Sequence, residues 1–228
     1  MKIRTMITAG LLVLLLCIVG AIAGIYLFHS QEQQENPDVY AWISIPGTDI
    51  DAPVLQHSED NSFYATHDAD GEENPVGALY TENYNHTNFD DPLTVIYGND
   101  NQDGSMFGGL YQYADDAYMK EHAWIYITFD NAEYKYKVFA AYKSDSRHIM
   151  ERFNSGKEEA NRKAYLESIM DNRTMGAQID ENAQVTADSK LLTLSTHDDS
   201  DPEGRFLVQA YLVEKEEKSN RCIKINVL

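Results

Sequence analysis

Residue types able to do chemistry gather in two short stretches of this chain. One is His197-Asp198-Asp199-Ser200-Asp201 with Arg205 shortly after, directly following the apolar run Leu191 to Thr196. The other is Asn99-Asp100-Asn101 with Asp103, directly following Leu93 to Gly98. A histidine has an unperturbed pKa of about 6.5, so a neutral imidazole at His197 could attack a carbonyl or activate water. Arg205 could grip a carbonyl oxygen or a carboxylate. Ser195 lies two residues before His197 and shares its face if the strand is regular. The carboxylates open a different chemistry: Asp100, Asp103, His197 and Asp198 are candidate ligands for a divalent cation. Oxygen-rich sets suit calcium, and a histidine among carboxylates suits zinc or manganese. Asn99 to Gly104 imitates the start of an EF-hand loop, but position twelve is Leu110 instead of glutamate, so that motif fails. None of these chemistries requires a cofactor; a divalent cation is possible.

The elements that must position these residues can be read from local pattern. Tyr40 to Gln56 alternates apolar and polar residues around Pro46-Gly47, which predicts two short strands and a turn. Gly77 to Tyr80 and Leu93 to Gly98 are further strands, the second compactly apolar as a buried strand is. Ser105 to His122 has roughly helical apolar spacing broken by a glycine pair, and a helix is expected there. Trp124 to Phe129 and Tyr134 to Tyr142 read as a hairpin around Asp130-Asn131, its aromatic residues packing a core. Lys157 to Asp171 predicts a helix starting near Asn154 or Ser155. Leu191 to Thr196 and Arg205 to Val213 are two strands joined by an acidic loop, His197 to Gly204. Many short strands with two inserted helices argue for a mostly antiparallel barrel decorated by helices, and there are no internal repeats.

Composition places the chain in a cell. No charged residue interrupts Met6 to Phe28, a run that at about 1.5 Å rise per residue extends about 34 Å, enough to span a bilayer. Lys2 and Arg4 precede it and Glu32 and Glu35 follow, so the amino terminus is expected inside and the remainder outside. Ala21-Ile22-Ala23 admits a cleaved signal peptide as the competing reading. The expected division is 1–5 cytoplasmic, 6–28 transmembrane, 29–38 stalk, 39–215 one β-rich domain and 216–228 a tail. The formal net charge is −19, with every acidic residue beyond the apolar run. Nucleic acid is therefore a poor partner, while a basic peptide or a divalent cation would be attracted. Cys17 in the apolar run and Cys222 in the tail are the two cysteines, and no disulfide is expected. His29, His57, His67, His86, His122 and His148 fall singly in polar contexts and are expected at the surface. Asn85-His86-Thr87 and Asn172-Arg173-Thr174 match a glycosylation pattern of little predictive value here.

Several of these segments, taken in order, resemble one family. They are Tyr40-Ala41-Trp42-Ile43-Ser44-Ile45-Pro46-Gly47-Thr48 with Ile50-Asp51, Asn61-Ser62-Phe63-Tyr64, Val95-Ile96-Tyr97-Gly98, Asp103-Gly104-Ser105-Met106-Phe107, and Thr193-Leu194-Ser195-Thr196 with Arg205-Phe206. The set is similar to class B sortases over roughly Asn36 to Val213. The resemblance implies an eight-stranded barrel, with the helix at Lys157 to Asp171 in the long connection between the sixth and seventh strands. It implies transpeptidation: a cysteine thiolate cleaves a carboxyl-terminal sorting signal, and the product is joined to an amine of the cell wall or a pilus subunit. The expected partners are thus a sorting-signal peptide or surface protein, wall or pilus components, and the membrane. The catalytic positions implied for cysteine, histidine and arginine are His197, Asn99 and Arg205, and Arg205 alone keeps the family's residue. The sequence therefore points to a non-catalytic, peptide- or partner-binding pseudosortase, with His197-dependent or metal-assisted peptide hydrolysis or transpeptidation as the alternative.

Overall fold

The computed structural model describes residues 36–153, 156–198 and 201–217, with backbone alone at 198 and 201–203. The apolar run 6–28 and Cys222 lie outside the described residues, among which no helix is long and apolar enough to cross a membrane.

A compact unit opens at Asp38. Its strands are β1 (Val39–Ser44), β2 (Asp51–Leu55), β3 (Leu79–Tyr80), β4 (Leu93–Tyr97), β5 (Trp124–Phe129), β6 (Ala132–Ser144), β7 (Gln178–Ile179), β8 (Leu191–Asp198) and β9 (Asp201–Glu217). The sheet order is β5-β1-β2-β3-β4-β8-β9-β6-β7, and β5 also pairs with β6. That last pairing closes eight strands into a ring and leaves the two-residue β7 as an addition along β6. Two contacts in the ring are parallel, β2 with β3 and β4 with β8. The expected barrel is therefore present, less uniformly antiparallel than the pattern suggested.

Side chains alternate across a strand, so the ring sorts them into two cores. Ile43, Ile96, Ile125, Ile127, Leu192, Leu194, Phe206 and Val208 belong to one buried cluster. Leu93, Val95, Phe139, Leu191, Leu207 and Tyr211 belong to a second, covered by α2 (Ile149–Phe153) and α3 (Glu159–Met170) through Ile149, Phe153, Tyr165 and Ile169. Strands β4 and β8, and the middle of β9 from Phe206 to Tyr211, thus bury both faces. Two hydrogen-bonded groups fix the helical cover. Arg162 of α3 donates to the carbonyl oxygens of Ala187 and Gly156 at 2.7 and 3.0 Å. Gln209, fully buried on β9, accepts from Thr193 Oγ1 at 2.7 Å and donates to Tyr142 Oη at 3.1 Å and Tyr165 Oη at 3.4 Å.

Local chemistry explains most turns. Asp130 and Asn131, at φ 43° and 60°, turn β5 into β6, and short polar side chains suit this left-handed geometry. The helix expected over Ser105 to His122 is instead a 3-10 turn at Leu110–Ala114 followed by α1 (Asp116–Glu121). Asp115 separates them: its backbone is extended and its carboxylate accepts from Tyr118 N at 2.9 Å, capping α1. The preceding stretch folds too tightly for a helix, since a Cβ on Gly108 would lie 2.1 Å from the carbonyl oxygen of Asn101. At the other end of the chain, the expected acidic loop from His197 to Gly204 is mostly strand, because β8 runs to Asp198 and β9 starts at Asp201. β9 also continues to Glu217, two residues into the expected tail. Helix α3 is preceded by Glu158 rather than by a side-chain cap.

Replacing Gln209 with leucine leaves three buried hydroxyls without their amide partner. The expected cost is about 3 kcal/mol, read as a lower urea midpoint with unchanged slope. An unchanged midpoint would show that the amide does not pin the helical cover.

Candidate functional site

The site grows from the registers of three neighbouring strands. β4 and β8 run parallel with Tyr97 beside Ser195, and Gly98 N donates to Ser195 O at 3.1 Å. β8 and β9 run antiparallel with His197 opposite Arg205, and a bulge follows between His197 and Asp198. Leu192, Leu194 and Thr196 alternate with Leu191, Thr193, Ser195 and His197, so the last four share the face that carries Leu93, Val95 and Tyr97 on β4. On β9 the same face carries Arg205, Leu207 and Gln209. Past the helical cover, this face presents Tyr97, Ser195, His197 and Arg205 side by side. Gly98 must be glycine here: a Cβ would lie 2.4 Å from Leu79 Cδ2 and 2.7 Å from Phe107 Cδ2.

His197 is exposed at the end of this row. Its pKa is lowered, first by partial desolvation against the sheet and second by the charge of Arg205, so the neutral imidazole dominates near pH 7. Its carbonyl accepts the Tyr111 hydroxyl, whose ring packs on Phe206 at 4.9 Å. Arg205 is half-buried and donates to Gly204 O at 3.2 Å. Ser195 and Thr196 are buried, and neither hydroxyl has a hydrogen-bond partner among the described residues. Ser195 therefore shares the face of His197, as strand spacing requires, without being bonded to it.

Asn99 is turned to a different task. Its Nδ2 donates to the carbonyls of Ala65 at 2.8 Å and of Pro75 and Val76 at 3.3 Å, and Asn101 Nδ2 also reaches Val76 O at 3.3 Å. Both amides thus fasten the segment from residue 65 to 77 onto the end of β4. Gly77, at φ +67°, allows the approach, because a Cβ there would lie 2.9 Å from Asn99 Nδ2.

Of the four candidate cation ligands, Asp100, Asp103 and His197 are described with their side chains. Asp100 bridges to Met106 through its backbone. Asp103 accepts from Ser105 N at 2.9 Å, and its hydrogen bonds to Ser105 hold its pKa below the usual carboxylate value. The side chain of Asp198 lies outside the description. Among the described residues no three of His, Cys, Asp and Glu stand close enough to hold an ion together.

Other residues of this face were not singled out by sequence. Tyr80 on β3 pairs with Tyr97 and stacks on it at 5.5 Å. Tyr97 Oη donates to Glu82 Oε2 at 3.2 Å, and His148 Nε2 reaches the same oxygen at 2.6 Å. The histidines as a group correct the surface expectation. Of the six expected at the surface, His86 is exposed, His57, His67, His122 and His148 are half-buried, and His29 lies outside the described residues. Asn85 of the glycosylation pattern is buried, bonded to Leu93 O at 2.7 Å and to Val95 N at 3.0 Å. The signal for Tyr97 was its place at the end of an apolar strand; Glu82 and His148, 66 residues apart, gave none.

Comparison with known proteins agrees with this architecture. A sortase-domain model matches residues 43–213. The chain is 32% identical over 187 residues to Sortase B of Listeria monocytogenes, covering 80% of this chain and 73% of that protein. It is 27% identical over 185 residues to Sortase B of Staphylococcus aureus, covering 78% and 72%. Among solved structures, sortase B from B. anthracis in complex with AAEK2 superposes with a TM-score of 0.71 at 27% identity, covering 82% of this chain and 83% of that one. The chain belongs to the sortase family. Within that family its likeness is to class B.

In an NMR titration the His197 imidazole is expected to have its midpoint below about 6.5, and Arg205→Gln should raise it part of the way back. The depressed value means the unfolded chain takes up this proton first as pH falls, so this contribution to stability is present above about pH 6.5 and lost below it. A midpoint at or above the unperturbed value contradicts the desolvated environment.

Proposed function

We propose that this chain is a membrane-anchored, outward-facing sortase-like protein that holds peptides of sorting-signal type on the outer face of β4, β8 and β9 without thiol transpeptidation. The observation that carries the reading is the end of β8, where an imidazole rather than a thiol faces Arg205. Cys17 and Cys222, the two cysteines of the chain, both lie outside the matched domain. Losing the nucleophile of a covalent mechanism costs about six orders of magnitude in turnover. Asn99 adds to the loss, since an amide donating to three carbonyls carries no proton for catalysis, and general acid–base help contributes roughly two to four orders. A binding group remains: the Arg205 guanidinium can hold a carbonyl or carboxylate oxygen. The run Met6 to Phe28 supports the anchor and its basic flank the orientation.

One observation favours a second reading. The lowered pKa of His197 leaves a neutral nitrogen beside Arg205, which suits His197-dependent peptide hydrolysis, an acyl-imidazole being short-lived in water.

Both readings are tested on the full chain with acetylated sorting-type peptides free of lysine and arginine, with oligoglycine as amine, followed by calorimetry and mass spectrometry. Saturable binding with no cleaved or ligated product is expected. His197→Cys, alone or with Asn99→His, should then yield product. Turnover by the unaltered chain that His197→Ala abolishes selects the hydrolytic reading. Absence of saturable binding overturns the peptide-holding role.

A further inference from the structure

Beside the His197–Arg205 pair, the same face carries a carboxylate set among rings. Glu82, 19% exposed at its side chain, receives Tyr97 Oη at 3.2 Å and His148 Nε2 at 2.6 Å, both on Oε2. Its other oxygen, Oε1, has no hydrogen bond among the described residues. Met150 N donates to His148 Nδ1 at 3.2 Å, so that nitrogen is an acceptor and the proton sits on Nε2, facing Glu82. Tyr80 stacks on Tyr97, and Tyr84, 61% exposed, stands edge-on to His148 at 5.5 Å. Three tyrosines and a histidine thus surround a carboxylate with one oxygen to spare.

The electrostatics of the rings agree. Tyr80 is pushed up to about 12 and Tyr97 also rises, in both cases by burial first and the charge of Glu82 second. Asp60 adds negative charge at Tyr80, and Arg205 opposes from the β9 side at both rings. Negative charge beside aromatic faces is an environment for a cation, where ion pairing and attraction to the ring quadrupole act together.

We propose that Glu82, with Tyr80, Tyr84 and Tyr97, forms a subsite for a cationic side chain, lysine or arginine, of a bound peptide or partner. It rests on the reading of this face as a binding groove. Glu82 Oε1 takes the ammonium or guanidinium, His148 and Tyr97 hold the carboxylate in place, and Tyr84 supplies an exposed ring. Arg205, farther along the same face, takes oxygen ligands, so the groove sorts charge along its length. The formal net charge of −19 attracts basic partners from a distance.

The test uses the full chain and small probes: Nα-acetyl-lysine amide, Nα-acetyl-arginine amide, the neutral Nα,Nε-diacetyl-lysine amide, and triglycine. NMR follows the His148 imidazole and the tyrosine rings. The two basic probes should shift these signals saturably while the neutral one does not. Glu82→Gln, which keeps an acceptor for Tyr97 and His148, should weaken binding at least tenfold with an unchanged urea midpoint. Tyr84→Ala, at an exposed ring, should weaken it several-fold. Equal binding of the neutral probe, unchanged binding by Glu82→Gln, or no saturable shift overturns the proposal. Shifts with triglycine alone would assign the site to a free amine terminus and overturn the side-chain version. The peptides of the preceding test carry no basic residue, so either reading can fail without the other.

Discussion

The parallel pairing of β4 with β8 decides where every functional side chain of this protein points. In that ladder Val95 lies beside Thr193 and Tyr97 beside Ser195, and a slip of one residue would turn His197 into the barrel and Leu194 out of it. The register holds because both faces are packed. Ile96, Leu192 and Leu194 fill the interior, while Leu93, Val95 and Leu191 lie under α2 and α3. The glycine after Tyr97 adds a steric lock, since β3 and Phe107 close on it from two sides. At the end of the ladder the packing gives way to unsatisfied polarity. Ser195 and Thr196 each bury a hydroxyl that has no partner among the described residues, one on each face of β8, an arrangement that costs about 1–3 kcal/mol per group.

The helical cover depends on that same outer face. Gln209 reaches from β9 to Tyr165 on α3, Arg162 returns from α3 to the segment before β8, and His148 at the start of α2 reaches Glu82. These bonds couple the cover to the strands beside it. The Glu82–His148 hydrogen bond therefore ties the entry to α2 to the segment that follows β3.

Much of this architecture was legible in residue patterns, and the exceptions have physical causes. Strands β1, β2, β4, β5 and β6 announced themselves through alternation, a compact apolar run and the Asp130-Asn131 turn. The ordered segments around Tyr97-Gly98 and Thr193-Thr196 pointed to the strand ends where His197 and Arg205 stand opposite each other, while Asn99 is turned away to the segment from residue 65 to 77. Helical spacing misled over Ser105 to His122, where Gly108 and Gly109 permit a chain path too tight for a helix and Asp115 restarts it. Charge misled over His197 to Gly204, because a run of acidic residues reads as loop although its backbone extends both strands. What one sequence could not give was tertiary partnership. Nothing local says that Asn99 donates to carbonyls from residues 65 to 76, or that Glu82 meets the histidine just ahead of α2.

The first strand of the domain has a mechanical meaning. β1 begins at Val39 and is hydrogen-bonded along one edge to β2 and along the other to β5, with Ala41 and Ile43 in the barrel core. A pull on the chain ahead of Val39 therefore loads the interior of a ladder instead of a free margin. The row to β2 takes that load from Val39 onward, and the row to β5 joins it at Trp42–Ser44. A domain entered in this way resists being unravelled from its amino-terminal side and passes tension into the sheet that carries the site.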